Sequence, residues 1–231
     1  MAYYFQCIQF LPGESMTVLA LSGGVDSTTL LATLLEEKDA CIFPVFFRYG
    51  SKHNQWEEIA AAAIAEHYGV PLHIVDLVPV FSSVKSVLLA HDLRGIPGEN
   101  YGVDNMALTL VPGRNLIFAS VLASLAESRG IPTVALATHA GDHHLYPDCR
   151  PSFNLALDRT LQESSGGAVR LQTPFSGMDK AAIVAEGKRL EVPFALTRSC
   201  YSASEKVCGV CGTCRERQEA FAANSLVDPG V

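Results

Sequence analysis

Residues 19–31 read LALSGGVDSTTLL, and few stretches narrow the folding of a chain as much. A β-prone run, Thr17 to Leu21, ends in Ser22-Gly23-Gly24-Val25-Asp26-Ser27, after which leucines return at helical spacing from Ser27 to Glu37. The pattern predicts a strand, a tight glycine loop and a helix. Gly23 and Gly24 let the backbone approach a polyanion closely, and a helix starting near Asp26 or Ser27 aims free N–H groups and its positive dipole end at bound phosphates. The commonest nucleotide loop places a lysine just before its Ser/Thr, but here Asp26 stands in that place. A carboxylate beside phosphates is repelled unless a cation lies between them, so the loop predicts a pyrophosphate bridged by Mg²⁺. The plainer alternative is a strand-to-helix turn with a serine cap.

The remaining pattern predicts a parallel sheet. Cys41 to Phe47 reads as a buried strand, Gln55 to Tyr68 as an alanine-rich helix, and Leu72 to Leu77 as a third strand. A helix is expected over Ser82 to Ala90, then a long Gly- and Pro-containing loop or lid, residues 94–113. Asn115 to Arg129 reads as a helix, and Thr133 to Ala137 as a strand that opens into the polar segment THAGDHHLYPDCR, at the strand end where α/β sheets collect ligands. Phe153 to Glu163 (helix), Val169 to Thr173 (strand) and Asp179 to Leu190 (helix) follow, and YYFQCIQF near the start is a candidate extra edge strand. The resulting expectation is an α/β domain over residues 1–195, with 1–16 as an added edge segment, and a C-terminal loop and helix over 196–231.

The 231 residues are 48% hydrophobic and 18% charged, which excludes a disordered chain. No apolar stretch is long enough to span a bilayer and the N-terminus lacks the basic start of a signal peptide, so a soluble cytoplasmic protein is expected. The net charge of −7 argues against a broad phosphate-backbone footprint, hence against direct nucleic-acid binding. Of seven cysteines, Cys7, Cys41 and Cys149 are isolated, whereas Cys200, Cys208, Cys211 and Cys214 fall within fifteen residues. Four thiolates at these spacings predict a closed, tetrahedral, structural Zn²⁺ site, with an iron–sulfur cluster as the competing reading. Because the loop from Leu196 to Cys214 and the helix after it show little apolar surface, the metal is expected to hold this segment in place.

Ser22-Gly23-Gly24-Val25-Asp26-Ser27 resembles the SGGxDS signature of the PP-loop ATP pyrophosphatases, enzymes that cleave ATP between its α and β phosphates. The fold this implies is a Rossmann-like parallel sheet flanked by helices, here with a C-terminal zinc-binding segment. Further motifs fall in register: Tyr49-Gly50-Ser51-Lys52-His53, Val111-Pro112-Gly113-Arg114-Asn115, Tyr146-Pro147-Asp148-Cys149-Arg150, and Ser199-Cys200-Tyr201 with the cysteine cluster. Over residues 17–217 the chain closely resembles the 7-cyano-7-deazaguanine synthase family of queuosine biosynthesis.

The resemblance implies a homodimeric ATP-dependent C–N ligase that turns 7-carboxy-7-deazaguanine and ammonia into the nitrile through an adenylated carboxylate and an amide. It implies ATP contacts from Leu21, Ser22, Gly23, Gly24, Val25, Asp26, Ser27, Lys52 and Gly113, and catalytic roles for Asp26, Ser27 and Arg114. For the substrate it implies Arg114, Asp142, Tyr146 and Asp148, and for zinc Cys200, Cys208, Cys211 and Cys214. A guanidinium at Arg114 suits a phosphate or carboxylate; Asp148 suits the amino and N–H edge of a guanine-like base, or a turn after Pro147. Cys149 reads as a small buried hydrophobe, because the reaction needs no thioester. The family usually carries Glu-Asp-Tyr-Ser-Gly where this chain has Gly141-Asp142-His143-His144-Leu145, and Trp where it has Arg198. These departures leave two alternatives: a paralogue that stops at the amide or couples another amine, of a peptide or protein, with His143 and His144 as bases, and a nucleotide-sensing module without turnover.

Overall fold

The computed structural model describes residues 16–37, 40–96, 107–142 and 146–230. The candidate edge strand in residues 1–15, residues 97–106 of the 94–113 loop, and His143, His144 and Leu145 lie outside them. Five strands, β1 (Met16–Ala20), β2 (Cys41–Arg48), β3 (His73–Asp76), β4 (Thr133–Ala135) and β5 (Arg170–Gln172), form one parallel sheet in the order β3-β2-β1-β4-β5. Val18 pairs with Phe43 on one side and Val134 on the other, which places β1 and its loop at the centre. Reversal of strand order on either side of β1 opens a crevice at the strands' carboxyl ends.

Both sheet faces are covered, as a parallel sheet requires. Alternation sends Val18, Val45, Phe47 and Val134 into one core with Leu122 and Ala126 of α4 (Arg114–Glu127) and Leu157 and Leu161 of α5 (Pro151–Ser164). Leu19, Ile42, Phe46 and Ala135 enter the other, against α1 (Val25–Glu36), α2 (Asn54–His67) and α6 (Lys180–Arg189). Pro44 is tolerated inside β2 because the β3 ladder begins one residue later, at Val45.

Two expectations are corrected. No helix spans Ser82 to Ala90; α3 is a single turn, Val78–Phe81, whose first N–H is capped by Asp76. The apolar residues Val87, Leu88 and Leu89 are consecutive, not helically spaced, and all three are buried. Their backbone bonds go to other segments: the Lys52 N–H donates to the Leu88 carbonyl at 2.7 Å and the Ala90 N–H to the Gly50 carbonyl at 2.8 Å.

The C-terminal helix, α7 (Gly212–Ala223), is not weakly held. Ala220 and Phe221 are buried in the same core as Leu30 and Ile183, and Phe221 meets Phe194 edge-on at 4.9 Å. Arg217 anchors this end of the chain. Its side chain is 3% exposed, pairs with Asp228 at 2.8 Å, and donates to the carbonyls of Thr197 and Phe194. Removing one partner of a buried pair leaves a stranded charge, which costs about 3–5 kcal/mol. Arg217→Ala is therefore expected to lower the melting temperature markedly, and Arg217→Met with Asp228→Leu to lower it less; equal losses in thermal denaturation would show that the charge pairing is immaterial.

Candidate functional site

The carboxyl ends of the strands open onto a cavity of about 220 Å³. On its floor is the loop that follows β1. Gly23 has φ +78°, and a Cβ there would lie 2.7 Å from the Ala61 nitrogen and 2.8 Å from the Glu57 carbonyl oxygen, so both conformation and contact require glycine. Gly24 caps α1 without a side-chain acceptor, which leaves the helix's first N–H groups directed at the crevice. Ser27 draws the loop together: its hydroxyl accepts from the Ser22 N–H at 3.2 Å and lies 3.0 Å from the Ser22 hydroxyl. Leu21, Ser22, Gly24, Asp26 and Ser27 line the cavity, whereas Val25 is buried in the core and Gly23 packs back on α2.

The cation that the loop sequence lacks comes from elsewhere in the chain. Lys180, the first residue of α6, places its Nζ 2.5 Å from Asp26 Oδ2 and 3.6 Å from Glu216 Oε2. Burial would raise the Asp26 carboxyl, but Lys180 and His139 outweigh it and hold the pKa below the usual carboxylate value. Lys180 is held above the ordinary lysine value, as Asp26 and Glu216 overcome the burial that opposes its charge. Asp26 Oδ1 is buried with no hydrogen-bond partner among the described residues. Beside it, His139, Asp142 and Glu216 bring potential ligand atoms within 4.8 Å of one another. A buried carboxylate oxygen without a partner, next to a cluster of one imidazole and two carboxylates, suits a hard divalent cation such as Mg²⁺.

A second wall is aromatic and cationic. Phe47 and Phe118 stack at 4.2 Å, with Tyr49 edge-on to Phe118 at 5.6 Å. Arg114 opens α4 behind Gly113, which has φ +69°, and reaches the cavity beside Tyr49, Tyr201 and Tyr146. Tyr146 is buried and shares a 2.8 Å hydrogen bond with Thr109. Cys149 lines the same wall, but burial drives its thiol far above the usual range, as befits packing and not nucleophilic attack. Arg198 lies 5.7 Å from the Trp56 ring, donates through its guanidinium to the Ser204 and Glu205 carbonyls, and through its backbone to Gly23 O at 2.8 Å.

Besides Gly23 and Val25, three further residues expected in the site lie outside the cavity lining. The Asp148 carboxylate accepts the Asn115 N–H at 3.1 Å and so caps α4. Lys52 donates to the Arg94 carbonyl. Neither they nor Gly113 are among the described residues that line the cavity. Sequence reasoning missed Lys180, His139, Glu216 and Glu57. For Lys180 a signal existed, since a helix N-terminus preceded by a capping Asp179 follows β5 at the ligand-facing edge; Glu216, one charge among many on α7, offered none.

The four cysteines form a separate centre. Cys200 and Cys208 sulfurs lie 3.6 Å apart, Cys211 and Cys214 3.5 Å apart, and all four within 4.8 Å of one another. Zn–S bonds of about 2.3 Å at tetrahedral angles set sulfurs roughly 3.8 Å apart, close to this spacing; an iron–sulfur cube would hold them farther apart. Backbone N–H groups of Ser202 and Cys208 donate to Cys200 Sγ, and that of Cys211 to Cys208 Sγ. Gly209, φ +70°, turns the chain, and Cys211 caps α7, where the helix dipole favours a thiolate.

Among solved structures, the U34-tRNA thiolase NcsA from Methanococcus maripaludis, described with its [4Fe-4S] cluster, aligns with 97% of this chain and 70% of its own, at a TM-score of 0.52 and 14% identity. That likeness extends to the fold alone. Sequence relatives are much nearer. A protein of Desulfotalea psychrophila is 42% identical over 206 residues, covering 89% of this chain and 93% of the relative; one of Ruegeria pomeroyi is 40% identical over 215 residues, covering 92% of each. Both are named 7-cyano-7-deazaguanine synthase. With the profile of queuosine biosynthesis protein QueC matching residues 16–225, across the loop, the cavity walls and the cysteine centre, the chain belongs to the QueC family.

Proposed function

We propose that this QueC-family enzyme converts 7-carboxy-7-deazaguanine and ammonia into 7-cyano-7-deazaguanine, using ATP to form first an acyl adenylate, then an amide, then an activated amide that loses its oxygen with AMP. The observation that carries this reading is Asp26 beside Lys180 at the open end of α1: a phosphate cradle whose charges suit a departing pyrophosphate. Hydroxide and oxide are poor leaving groups, and AMP replaces them in both steps.

In this reading the loop N–H groups and Ser22 and Ser27 hold the β and γ phosphates, with Lys180 released from Asp26 to neutralise them. Asp26, with Asp142 and Glu216, would hold Mg²⁺, which would supply positive charge where the phosphates accumulate negative charge. The flat wall of Phe47, Phe118 and Tyr49 offers a surface for a planar base. Arg114 faces the reacting carboxylate, and Tyr146 and Tyr201 bound its position. Asp148 serves this site indirectly, by fixing the start of the helix that carries Arg114. Zinc at the four cysteines is structural, because four protein ligands leave no open position.

Asp26→Ala is expected to abolish substrate-dependent conversion of ATP to AMP and pyrophosphate while the circular dichroism spectrum stays native. Stoichiometric ADP, or full turnover in the variant, would overturn the assignment. Mass spectrometry after incubation of 7-carboxy-7-deazaguanine with excess ATP, Mg²⁺ and ammonium should find the nitrile, with the amide only transient; amide that accumulates unconverted would refute the second activation. Elemental analysis is expected to find one zinc per chain, and Cys211→Ser to lower melting temperature far more than ATP affinity. Iron with a visible charge-transfer band would contradict the zinc assignment.

A further inference from the structure

The Glu57 carboxyl lies in the cavity, yet neither phosphate binding nor zinc binding employs it. It stands on the first turn of α2, the turn whose main chain packs against Gly23, and its carboxyl shares the cavity with Arg114, which the proposed function sets at the reacting carboxylate. Its side chain is 18% exposed, and among the described residues no hydrogen bond satisfies it. Every element around it contributes a polar or charged group. His53 Nε2 approaches its Oε1 at 3.5 Å from the start of α2, with Arg114 on α4 and Arg198 on the C-terminal segment near by and Tyr49 and Tyr201 on the same cavity wall. His53 is nearly wholly buried and burial holds its pKa down at about 3, so it stays neutral and provides no countercharge. The Arg198 guanidinium is engaged by carbonyls of residues 204 and 205.

We propose that Glu57 is the catalytic base that receives ammonium and takes one of its protons, delivering ammonia to the adenylated carboxyl. This rests on the ligase reading above. At neutral pH the nitrogen donor is almost entirely ammonium, which has no lone pair with which to attack, so the site must remove a proton. Burial pushes the Glu57 carboxyl up to about 8, which brings its proton affinity close to the working pH, where a general base is most effective. The freed lone pair forms the C–N bond as the C–O bond to AMP breaks, and the electron pair departs on the phosphate. The second surplus proton on nitrogen leaves with AMP to solvent.

The test compares wild type, Glu57→Gln and Glu57→Asp in three assays: substrate-dependent ATP–pyrophosphate exchange, amide formation from ammonium, and acyl transfer to hydroxylamine, which is already neutral near pH 7. Glu57→Gln should keep exchange within about threefold of wild type, lose ammonium-dependent kcat/KM by about 100-fold or more, and lose less than tenfold with hydroxylamine. Glu57→Asp, which keeps a carboxyl, should retain part of the ammonium reaction. Loss of exchange in parallel with amide formation in both variants, equal losses for the two amines, or unchanged use of ammonium would each overturn the proposal. A wild-type protein with no exchange at all would instead remove the ligase reading, and this inference with it.

Discussion

The site depends on one close approach, that of Gly23 to α2. A loop that must turn its N–H groups toward a polyanion has to leave β1 sharply, and here it does so at φ +78° with its α-carbon pressed against the main chain of Glu57 and Ala61. The contact ties the loop to α2, and the Arg198 N–H bond to the Gly23 carbonyl ties it to the segment bearing the cysteines. The loop is thereby clamped from both sides. A cradle that is already rigid loses little conformational entropy when phosphates enter.

Charge arrangement follows from this rigidity. Asp26 opens α1, where the helix dipole favours a carboxylate, and Lys180 opens α6, where the dipole opposes a cation. Each is stable because the other is there: the pair depresses the acid and raises the base against a burial that would neutralise both. The cavity thus gathers Asp26, Glu216 and His139 near a single lysine, while Glu57 has Arg114 and Arg198 as its charged neighbours.

The cysteine centre and the Arg217 latch do distinct structural work on one short segment. The four cysteine sulfurs gather the loop between Cys200 and Cys214 at one point; Arg217 and Phe221 seat α7 on the second core and capture Asp228 near the chain end. Since Arg198 and Tyr201 of that segment line the cavity, order at the C-terminus is a condition for a complete site. The sulfur spacing suits a single tetrahedral ion, and the likeness to an iron–sulfur tRNA thiolase extends to the fold alone.

Local chemistry was legible without coordinates wherever it is governed by spacing along the chain. The glycine loop between an apolar run and a leucine-spaced helix, the alternation of strands and helices, and the four-cysteine cluster each carry their own physics, and the motif order carried the family. Partners brought together by chain crossings were not. Nothing in the Leu19–Leu31 stretch reports that a lysine from α6 would meet Asp26, that α2 would press on Gly23, or that Glu57 would face the cavity. Asp148 suits the amino and N–H edge of a guanine-like base by the chemistry of a carboxylate, or a turn after Pro147; in the fold its carboxylate accepts the N–H of Asn115 at the start of α4. A helix is expected over Ser82 to Ala90, but Val87, Leu88 and Leu89 are all buried, and backbone bonds to the Gly50–Lys52 turn take the place of a helix. Sequence determines which groups exist and what each prefers locally; only the packed sheet, by bringing remote ends to one edge, decides which of those preferences are satisfied by the protein and which remain open for a ligand.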